Sequence, residues 1–301
     1  MERPVLIVGK TGQLAIALGE GAAAHGLPVH LVERPQLDFD RPASIATTFA
    51  AVAPGLVINA AAYTAVDAAE ADADAAYRAN RDAPAELARL CEAAAIPLIH
   101  ISTDYVFDGC KGAPYVESDP PAPQSVYGAS KLAGEQAVQA GCSRGIVLRT
   151  SWVYSPIGRN FVLTMLSAAR RTDRLRVVAD QIGCPTHAAD LAEVVLAITA
   201  RITRDGWQSR YAGLYHAAGS GSTSWHAFAV AIFSAGARHG MAPPTVEPIT
   251  TADWPTAAHR PADSRLDCTR LEAVFGLRLP PWRDSLERMI DGMFARGASA
   301  P

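Results

Sequence analysis

Short apolar runs that alternate with helix-like segments constrain the fold of this chain more than any other sequence feature. The first run, residues 5–8 (VLIV), ends at Gly9 and is followed by apolar residues at helical spacing. Further apolar runs lie at residues 29–32, 56–62, 97–102 and 146–151. Runs without polar alternation are typical of strands covered on both faces. The alternation predicts an α/β fold, a Rossmann-type doubly wound parallel sheet with right-handed crossovers.

The turn after the first strand has the composition of a phosphate-binding loop. Gly9 and Gly12 permit a tight turn and a close approach of the backbone to phosphate, and Ala15 is small enough for a helix to pack on the strand. The helix that follows offers N–H groups and a positive dipole end to a pyrophosphate. A Walker loop is excluded, because no Gly-Lys-Ser/Thr closes the turn. A plain strand-to-helix turn is the alternative.

Charged residues follow the second strand, where a dinucleotide fold meets the adenosine ribose. Glu33 would bind a free 2′-hydroxyl, whereas Arg34 would pair with a 2′-phosphate. Because both residues are present, the choice between NADH and NADPH stays open. Alternatively, Glu33 and Arg34 are two solvent-exposed loop charges without a role in binding. Asp38, next to Phe39, is placed to approach the adenine. Small residues after the third strand leave room for a cofactor to cross the sheet edge: Ala60, Ala61 and Ala62, followed by Tyr63.

A tyrosine and a lysine four residues apart stand on the helix predicted to begin near Ser125. Tyr127 and Lys131 share one helical face, and we expect the ammonium to lower the pKa of the phenol toward working pH. Thr103 and Asp104 follow the fourth strand, at the sheet edge where ligands bind in such folds. An ordinary helix face and a simple turn are the structural alternatives for these two pairs.

Beyond Tyr154 the regular alternation breaks. A strand at residues 213–217 and the helix before it return to the sheet, whereas proline-rich and irregular segments follow. We predict a nucleotide-binding domain over residues 1–151, to which 187–217 return. Residues 152–186 and 218–301 are predicted to form a smaller, discontinuous α/β substrate domain, with the substrate in the cleft between the two.

Composition excludes several functional classes. The formal net charge of −3 gives no reason to expect nucleic acid or a membrane surface as partner. The sequence has no apolar run of membrane-spanning length and no signal peptide, so we expect a cytoplasmic protein. The five cysteines are scattered without a Cys-x-x-Cys pair, which argues against a zinc site and fits a reducing compartment.

Taken together, these motifs resemble the extended branch of the short-chain dehydrogenase/reductase superfamily, and within it the dTDP-4-dehydrorhamnose reductases. The stretches that carry the resemblance are residues 9–14 (GKTGQL), 57–70 (VINAAAYTAVDAAE), 102–109 (STDYVFDG), 127–131 (YGASK), 149–154 (RTSWVY), 160–161 (NF) and 180–186 (DQIGCPT). They extend from the first strand to past the middle of the chain. The C-terminal third matches less clearly.

The resemblance implies an NAD(P)H-dependent reduction of the C4 ketone of dTDP-4-dehydro-L-rhamnose, a step in the biosynthesis of dTDP-L-rhamnose for cell-surface polysaccharide. It implies that Thr103, Tyr127 and Lys131 are catalytic. The expected cofactor contacts are Gly9, Thr11, Gly12, Gln13, Leu14, Glu33, Arg34, Asp38, Phe39, Ala60, Ala61, Ala62, Tyr63, Tyr127 and Lys131. The expected substrate contacts are Asp104, Val106, Phe107, Trp152 and Asn160.

Two departures from the family pattern bear on partners. Ala17 stands where the dimeric, magnesium-bridged members carry an acidic residue, which puts the bridging metal in doubt. We therefore assign no metal-ligating residue, leave magnesium open as a cofactor, and predict a monomer or weak homodimer. Asp263 replaces the asparagine of the family's Arg-Pro-x-Asn-Ser motif.

Two other functions stay open at this point. A nucleotide-sugar epimerase or dehydratase of the same branch would keep Tyr127 and Lys131 but recycle a tightly held NAD. A non-enzymatic subunit similar to the methionine adenosyltransferase beta subunit would bind without turnover. The intact Thr103, Tyr127 and Lys131 argue against the second.

Overall fold

A computed structural model describes residues 3–295; residues 1–2 and 296–301, which the predicted domains include, lie outside the described residues. The strands are β1 (Val5–Val8), β2 (Val29–Val32), β3 (Leu56–Asn59), β4 (Leu98–Thr103), β5 (Gly145–Thr150), β6 (Val153–Tyr154), β7 (Arg174–Val178), β8 (Ile182–Gly183), β9 (Thr186–His187), β10 (Gly213–His216), β11 (Thr223–Ser224) and β12 (Thr245–Ile249). The helices are α1 (Gln13–Gly21), α2 (Ala43–Val52), α3 (Val66–Ala69), α4 (Ala73–Tyr77), α5 (Ala83–Ala93), α6 (Val126–Gly141), α7 (Phe161–Ala169), α8 (Ala188–Asp205), α9 (Trp225–Ala237), α10 (Thr269–Phe275) and α11 (Trp282–Ala295).

Six of these strands form one parallel sheet in the order β10-β5-β4-β3-β1-β2. Val5 pairs with Val29 on one side and with Leu56 on the other, so the strand order reverses beside β1. Such a reversal opens a crevice at the carboxyl ends of the strands, where ligands bind in open α/β sheets. The predicted Rossmann-type doubly wound parallel sheet is confirmed.

Both faces of the sheet are covered, which explains why its strands lack polar alternation. Val5 and Ile7 face the helices α1 and α8, in a cluster with Leu18 and Val195. Leu6 and Val8 point to the opposite face, toward α2 and α5. Because successive side chains in a strand point to opposite faces, a strand buried on both faces must be apolar throughout.

A second apolar cluster lies outside the sheet. It is built around Tyr154, Phe228, Trp282 and Leu286, with contributions from α7, α9 and α11. Two-stranded pairings accompany it: β7 with β12, β6 with β9, and β8 with β11. Strand β10 joins the main sheet beside β5, which confirms the predicted return of residues 213–217. The division into two domains stays a prediction.

The described helices contain no segment that combines the length and the apolar character needed to cross a lipid bilayer.

Candidate active site

A cavity of about 860 Å³ opens at the carboxyl ends of the central strands. It brings together residues predicted from motifs that are far apart in the chain. Those that line it are Gly9, Thr11, Gly12, Gln13, Leu14, Glu33, Arg34, Phe39, Ala60, Ala61, Ala62, Tyr63, Thr103, Asp104, Tyr127, Lys131 and Trp152.

The turn between β1 and α1 has the geometry of an anion site. Gly9 adopts φ +115°, and a Cβ there would lie 3.4 Å from the Cβ of Ala15 and 3.5 Å from the backbone of Ala60. Gly12 is the N-cap residue of α1, and as a glycine it has no side chain that could bind the free amides of the first turn. Among the described residues, that turn also carries no acidic side chain. The amides of that turn are therefore available to a pyrophosphate. These residues fit a dinucleotide cofactor.

At the adenosine end, exposed ion pairs surround the loop after β2. Arg34 lies 3.0 Å from Asp38 and 2.8 Å from Asp40, and Arg78 lies 3.2 Å from Asp40. Arg34 and Glu33 line the cavity. Asp38, predicted to contact the cofactor, is not among the lining residues; its carboxylate is bound by the Asp40 amide and by Arg41, which lower its pKa.

The helix that carries the tyrosine begins at the predicted place. Ser125 caps α6 and accepts a hydrogen bond from the Gly128 amide at 3.1 Å. Gly128 is required by packing, because a Cβ there would lie 2.2 Å from the Tyr105 carbonyl oxygen. The ring of Tyr105 meets Tyr127 edge-on, with centroids 5.5 Å apart. α6 therefore packs tightly on the segment after β4 and presents Tyr127 beside Thr103.

The expected lowering of the Tyr127 pKa is wrong. Burial raises that pKa well above its usual value, the neighbouring Asp104 adds to the rise, and the Thr103 hydroxyl opposes it. Lys131 instead donates from Nζ to the Ile101 carbonyl oxygen at 2.6 Å. Desolvation outweighs the helical neighbour, since a buried phenolate loses its hydration. The phenol therefore holds its proton, as a general acid must.

A buried network that the sequence motifs did not single out lies beneath Lys131. Burial lowers the pKa of Lys131 to about 8, and Glu135, one helical turn on, opposes the shift. Glu135 accepts hydrogen bonds from Arg149 at 2.7 and 2.9 Å and from Ser102 at 2.5 Å. The spacing of four residues between Lys131 and Glu135 is the sequence signal that points to this network.

Thr103 and Asp104 form a polar pair at the end of β4. Thr103 Oγ1 donates to Asp104 Oδ1 at 3.1 Å and accepts from the Tyr105 amide at 3.3 Å. Burial raises the pKa of Asp104 to about 6. Within residues 3–295, Asp104 Oδ2 and the buried Thr150 Oγ1 have no hydrogen-bond partner, and both residues line the cavity. Buried oxygens without partners are costly, so they are candidates for contacts with a polar ligand.

The predicted sugar platform, Trp152, is already covered on one face. Trp225 stacks on it with ring centroids 3.4 Å apart and planes 5° apart. Gly183 lies against the same indole, because a Cβ there would be 2.4 Å from Trp152 Cε2. Trp152 also adopts φ +45°, the left-handed region that favours glycine. Trp225 lines the cavity too, and no motif had indicated it.

Three predicted substrate contacts lie elsewhere. Val106 and Phe107 are fully buried, and Phe107 stacks on Tyr115 with centroids 4.0 Å apart. Asn160 caps α7 and donates to Gln13 Oε1 at 3.0 Å. None of the three is among the lining residues, so the structure places them in the packing around the cavity. Asn160 ties the glycine turn to the segment before α7.

Asn80 is a further residue that the motifs missed. It lies in the π-helical turn between α4 and α5 and is buried. Its side chain accepts from the Tyr63 amide at 2.8 Å and donates to the Tyr63 carbonyl at 3.1 Å and to Ser130 at 2.9 Å. It therefore holds the loop after β3 against α6.

Metal-ligating side chains do not cluster in the described part of the chain: no group of three or more His, Cys, Asp or Glu could hold an ion there. Ala17 packs against the apolar cluster between the sheet, α1 and α8.

Comparisons with known proteins agree with this geometry. The family model described as the RmlD substrate binding domain matches residues 2–294. A dTDP-4-dehydrorhamnose reductase from Sinorhizobium fredii is 42% identical over 294 residues, covering 98% of this chain and 99% of that protein. A probable dTDP-4,6-dihydroxy-2-methyloxan-3-one 4-ketoreductase from Streptomyces antibioticus is 38% identical, covering 96% of this chain and 95% of that protein.

A solved structure gives the same result in three dimensions. The crystal structure of dTDP-4-dehydrorhamnose reductase from Bacillus anthracis in complex with NADP superposes with a TM-score of 0.88 at 35% identity, covering 97% of this chain and all of that one. Likeness of this extent, over nearly the whole length and in both sequence and fold, means that the chain belongs to the family of the dTDP-4-dehydrorhamnose reductases.

Proposed function

We infer that this protein is an NAD(P)H-dependent oxidoreductase that reduces the C4 ketone of dTDP-4-dehydro-L-rhamnose to dTDP-L-rhamnose. The observation that carries this inference is the cavity itself. Its walls run from the glycine turn to a buried Thr103, Tyr127 and Lys131, so one bound dinucleotide can extend between them. Family membership supplies the sugar nucleotide as the expected substrate.

The roles of the catalytic residues follow from their surroundings. When bound, the reduced nicotinamide supplies the hydride to the C4 carbon. Tyr127 donates its proton to the ketone oxygen as negative charge develops there, and Thr103 hydrogen-bonds the same oxygen. Lys131 binds a ribose hydroxyl of the cofactor, and its charge stabilises the phenolate once the proton has left.

The sugar lies on the opposite wall. The unpartnered Oδ2 of Asp104 accepts a sugar hydroxyl, and Thr150 is a second polar contact. The Trp152–Trp225 pair provides an apolar surface for the C–H groups of the pyranose. Trp152 and Trp225 belong to the proposed substrate domain, residues 152–186 and 218–301, whereas Asp104 and Thr150 belong to the proposed nucleotide-binding domain, residues 1–151.

Both cofactors fit the adenosine end. Arg34 can leave its aspartates to pair with a 2′-phosphate, while Glu33 can accept a ribose 2′-hydroxyl. The cofactor is NADPH or NADH, and the preference between them stays open. We further propose a monomer or weak homodimer. The bridging magnesium site of the dimeric members stays in doubt, because Ala17 offers no ligand oxygen, and the use of magnesium stays open. The cytoplasmic location stays a prediction.

The test is NADPH and NADH oxidation with enzymatically made dTDP-4-dehydrorhamnose, followed by identification of the sugar. We expect stoichiometric loss of reduced cofactor and formation of dTDP-L-rhamnose. Sugar conversion without net oxidation would indicate an epimerase or dehydratase. No oxidation, with co-purification of a synthetase subunit, would indicate the regulatory alternative.

A second candidate substrate is supported by the Streptomyces relative. That protein is named as a 4-ketoreductase of a different dTDP-linked ketosugar. The same assay with that ketosugar distinguishes the two, because the preferred substrate has the higher kcat/KM.

A further inference from the structure

Thr103 has more hydrogen-bonding tasks than it has hydrogens. A threonine hydroxyl has one hydrogen to donate and two lone pairs to accept with. In this structure the hydrogen goes to Asp104 Oδ1 at 3.1 Å, and one lone pair accepts from the Tyr105 amide at 3.3 Å. The Tyr127 phenol is a third hydrogen-bonding neighbour of the same hydroxyl. With its hydrogen on Asp104, Thr103 has none left for the ketone oxygen that the proposed reaction requires it to bind.

Resting on that proposed function, we propose that Asp104 is a positioning residue that, as a neutral carboxylic acid, turns the hydroxyl hydrogen of Thr103 toward the ketone oxygen. A protonated carboxyl becomes a donor. It donates through Oδ1 to the lone pair of Thr103 that does not accept from the Tyr105 amide, which releases the hydroxyl hydrogen toward the substrate. The other oxygen, Oδ2, still accepts a sugar hydroxyl. Both functions of Asp104 are then met by one protonation state.

The surroundings of Asp104 favour the neutral acid. Its side chain is buried, with 1% exposure, and burial raises its pKa to about 6 against the opposing hydroxyls of Thr103 and Ser264. The titratable groups around it are the phenols of Tyr105 and Tyr127 and the thiol of Cys184, whose pKa values burial also raises, so they are neutral at working pH.

The charged groups next to these three side chains are paired with each other. Arg260, 3.3 Å from the Tyr105 hydroxyl, donates to Asp67 at 2.7 Å. The Asp263–Arg265 pair next to Cys184 is joined by contacts of 2.6 and 2.8 Å. Binding of cofactor and sugar removes water from the cavity, which raises the pKa of a buried carboxyl further. We therefore expect Asp104 to be protonated in the reacting complex.

The sign of the pH dependence follows from this. Below the pKa of Asp104 in the complex the acid is neutral and Thr103 serves the substrate. As the pH rises through that pKa, Asp104 becomes a carboxylate and again accepts the hydrogen bond from Thr103, so kcat falls. The fall is up to about tenfold for each pH unit, because the fraction of neutral Asp104 falls by that factor. Lys131, with a pKa of about 8 in the free protein, adds a separate alkaline fall.

The test compares kcat against pH for the wild type and Asp104→Asn. The amide is isosteric with the carboxylic acid and donates at every pH. We expect the kcat profile of Asp104→Asn to lack the alkaline decrease that is due to Asp104 and to keep only the decrease that is due to Lys131. An unchanged alkaline fall, or an increase in KM alone that is equal at all pH values, would overturn the proposal, because either means that Asp104 only binds sugar.

Thr103→Val provides the matched background, because Asp104 is proposed to act through the Thr103 hydroxyl. In that background Asp104→Asn should leave the pH profile unchanged. A shift of the profile there of the same size as in the wild type would overturn the proposal.

A spectroscopic measurement makes the test independent of turnover. In the complex with oxidised cofactor and dTDP-L-rhamnose at neutral pH, the infrared spectrum of the wild type minus that of Asp104→Asn should contain the C=O band of a protonated carboxylic acid. A carboxylate band instead would overturn the proposal even if the protein reduces the sugar. Lack of turnover together with the acid band would contradict the proposed function alone.

Discussion

The two ends of the cavity use similar charged groups to opposite effect. At the catalytic end, the side chains of Arg149 and Glu135 are only 3% and 2% exposed. At the adenosine end, those of Arg34 and Asp40 are 66% and 50% exposed. Buried charges lose their hydration and depend on each other, whereas water and salt screen exposed pairs. Breaking the buried pair is therefore expected to cost more free energy than breaking an exposed one.

The catalytic end also shows that burial outweighs sequence neighbours. Tyr127 and Lys131 share a helical face, yet desolvation moves their pKa values apart, that of the phenol upward and that of the ammonium downward. The Tyr127 phenol keeps its proton and can act as the acid that the reduction needs. Lys131, whose pKa is about 8, supplies the positive charge that stabilises the phenolate formed afterwards.

The largest effect is expected at the buried end, from Tyr127→Phe. The change removes the proposed acid while keeping the ring that packs on Tyr105. Because general acid catalysis typically contributes about 10²- to 10⁴-fold, we expect kcat to fall by at least that range. The Kd of NADPH, measured by fluorescence, should change little. Near-normal turnover would remove Tyr127 from the mechanism.

The buried ion pair can be compared directly with an exposed one. Glu135→Gln leaves Arg149 buried and unpaired, so we expect a loss of about 3–5 kcal/mol in the free energy of unfolding. Glu86→Gln, in the exposed pair with Arg89, should cost less than about 1 kcal/mol. Urea unfolding of both variants gives the comparison. Equal losses would contradict the distinction between buried and exposed charges.

A smaller effect is expected at the sugar wall. Trp225→Ala removes the ring stacked on Trp152. Because aromatic stacking contributes about 0.5–1.5 kcal/mol beyond area burial, KM for the sugar nucleotide should rise about 2- to 10-fold. NADPH affinity should stay the same. Trp254→Ala, at a tryptophan that is 57% exposed and does not line the cavity, is the control. If both variants behave alike, Trp225 makes no sugar contact.

The smallest effect is expected at the adenosine end. Arg34→Ala should raise KM for NADPH by up to about fivefold, in line with an exposed ion pair, and leave KM for NADH unchanged. The difference between the two cofactors should shrink as salt is added, because salt screens exposed charges. Equal changes for both cofactors would mean that Arg34 does not meet the 2′-phosphate.

Local patterns predicted a large part of the fold and of the site. The apolar runs before Gly9, Ala60 and Thr103 became sheet strands because strands buried on both faces leave a direct signature in sequence. The helix predicted to begin near Ser125 is α6, and the structure shows that Ser125 caps it. The sheet then brought the ends of these strands to one edge, as the parallel arrangement requires.

Neighbours that are distant in the chain could not be predicted in this way. Trp225 covers Trp152 from 73 residues away along the sequence. Phe107 and Asn160 both belong to motif stretches that were predicted to contact the substrate. Packing instead buries Phe107 in the core, and the side chain of Asn160 binds Gln13. Long-range packing of this kind leaves no periodic pattern.

The sequence by itself determined the sheet, the glycine turn and the positions of Thr103, Tyr127 and Lys131, because each depends on periodicity or spacing within a few residues. Only the tertiary structure decided how those groups hold their protons. The pKa values of Tyr127, Lys131 and Asp104 depend on how much water the folded chain excludes from them. Desolvation is a property of the assembled cavity, which no local pattern encodes.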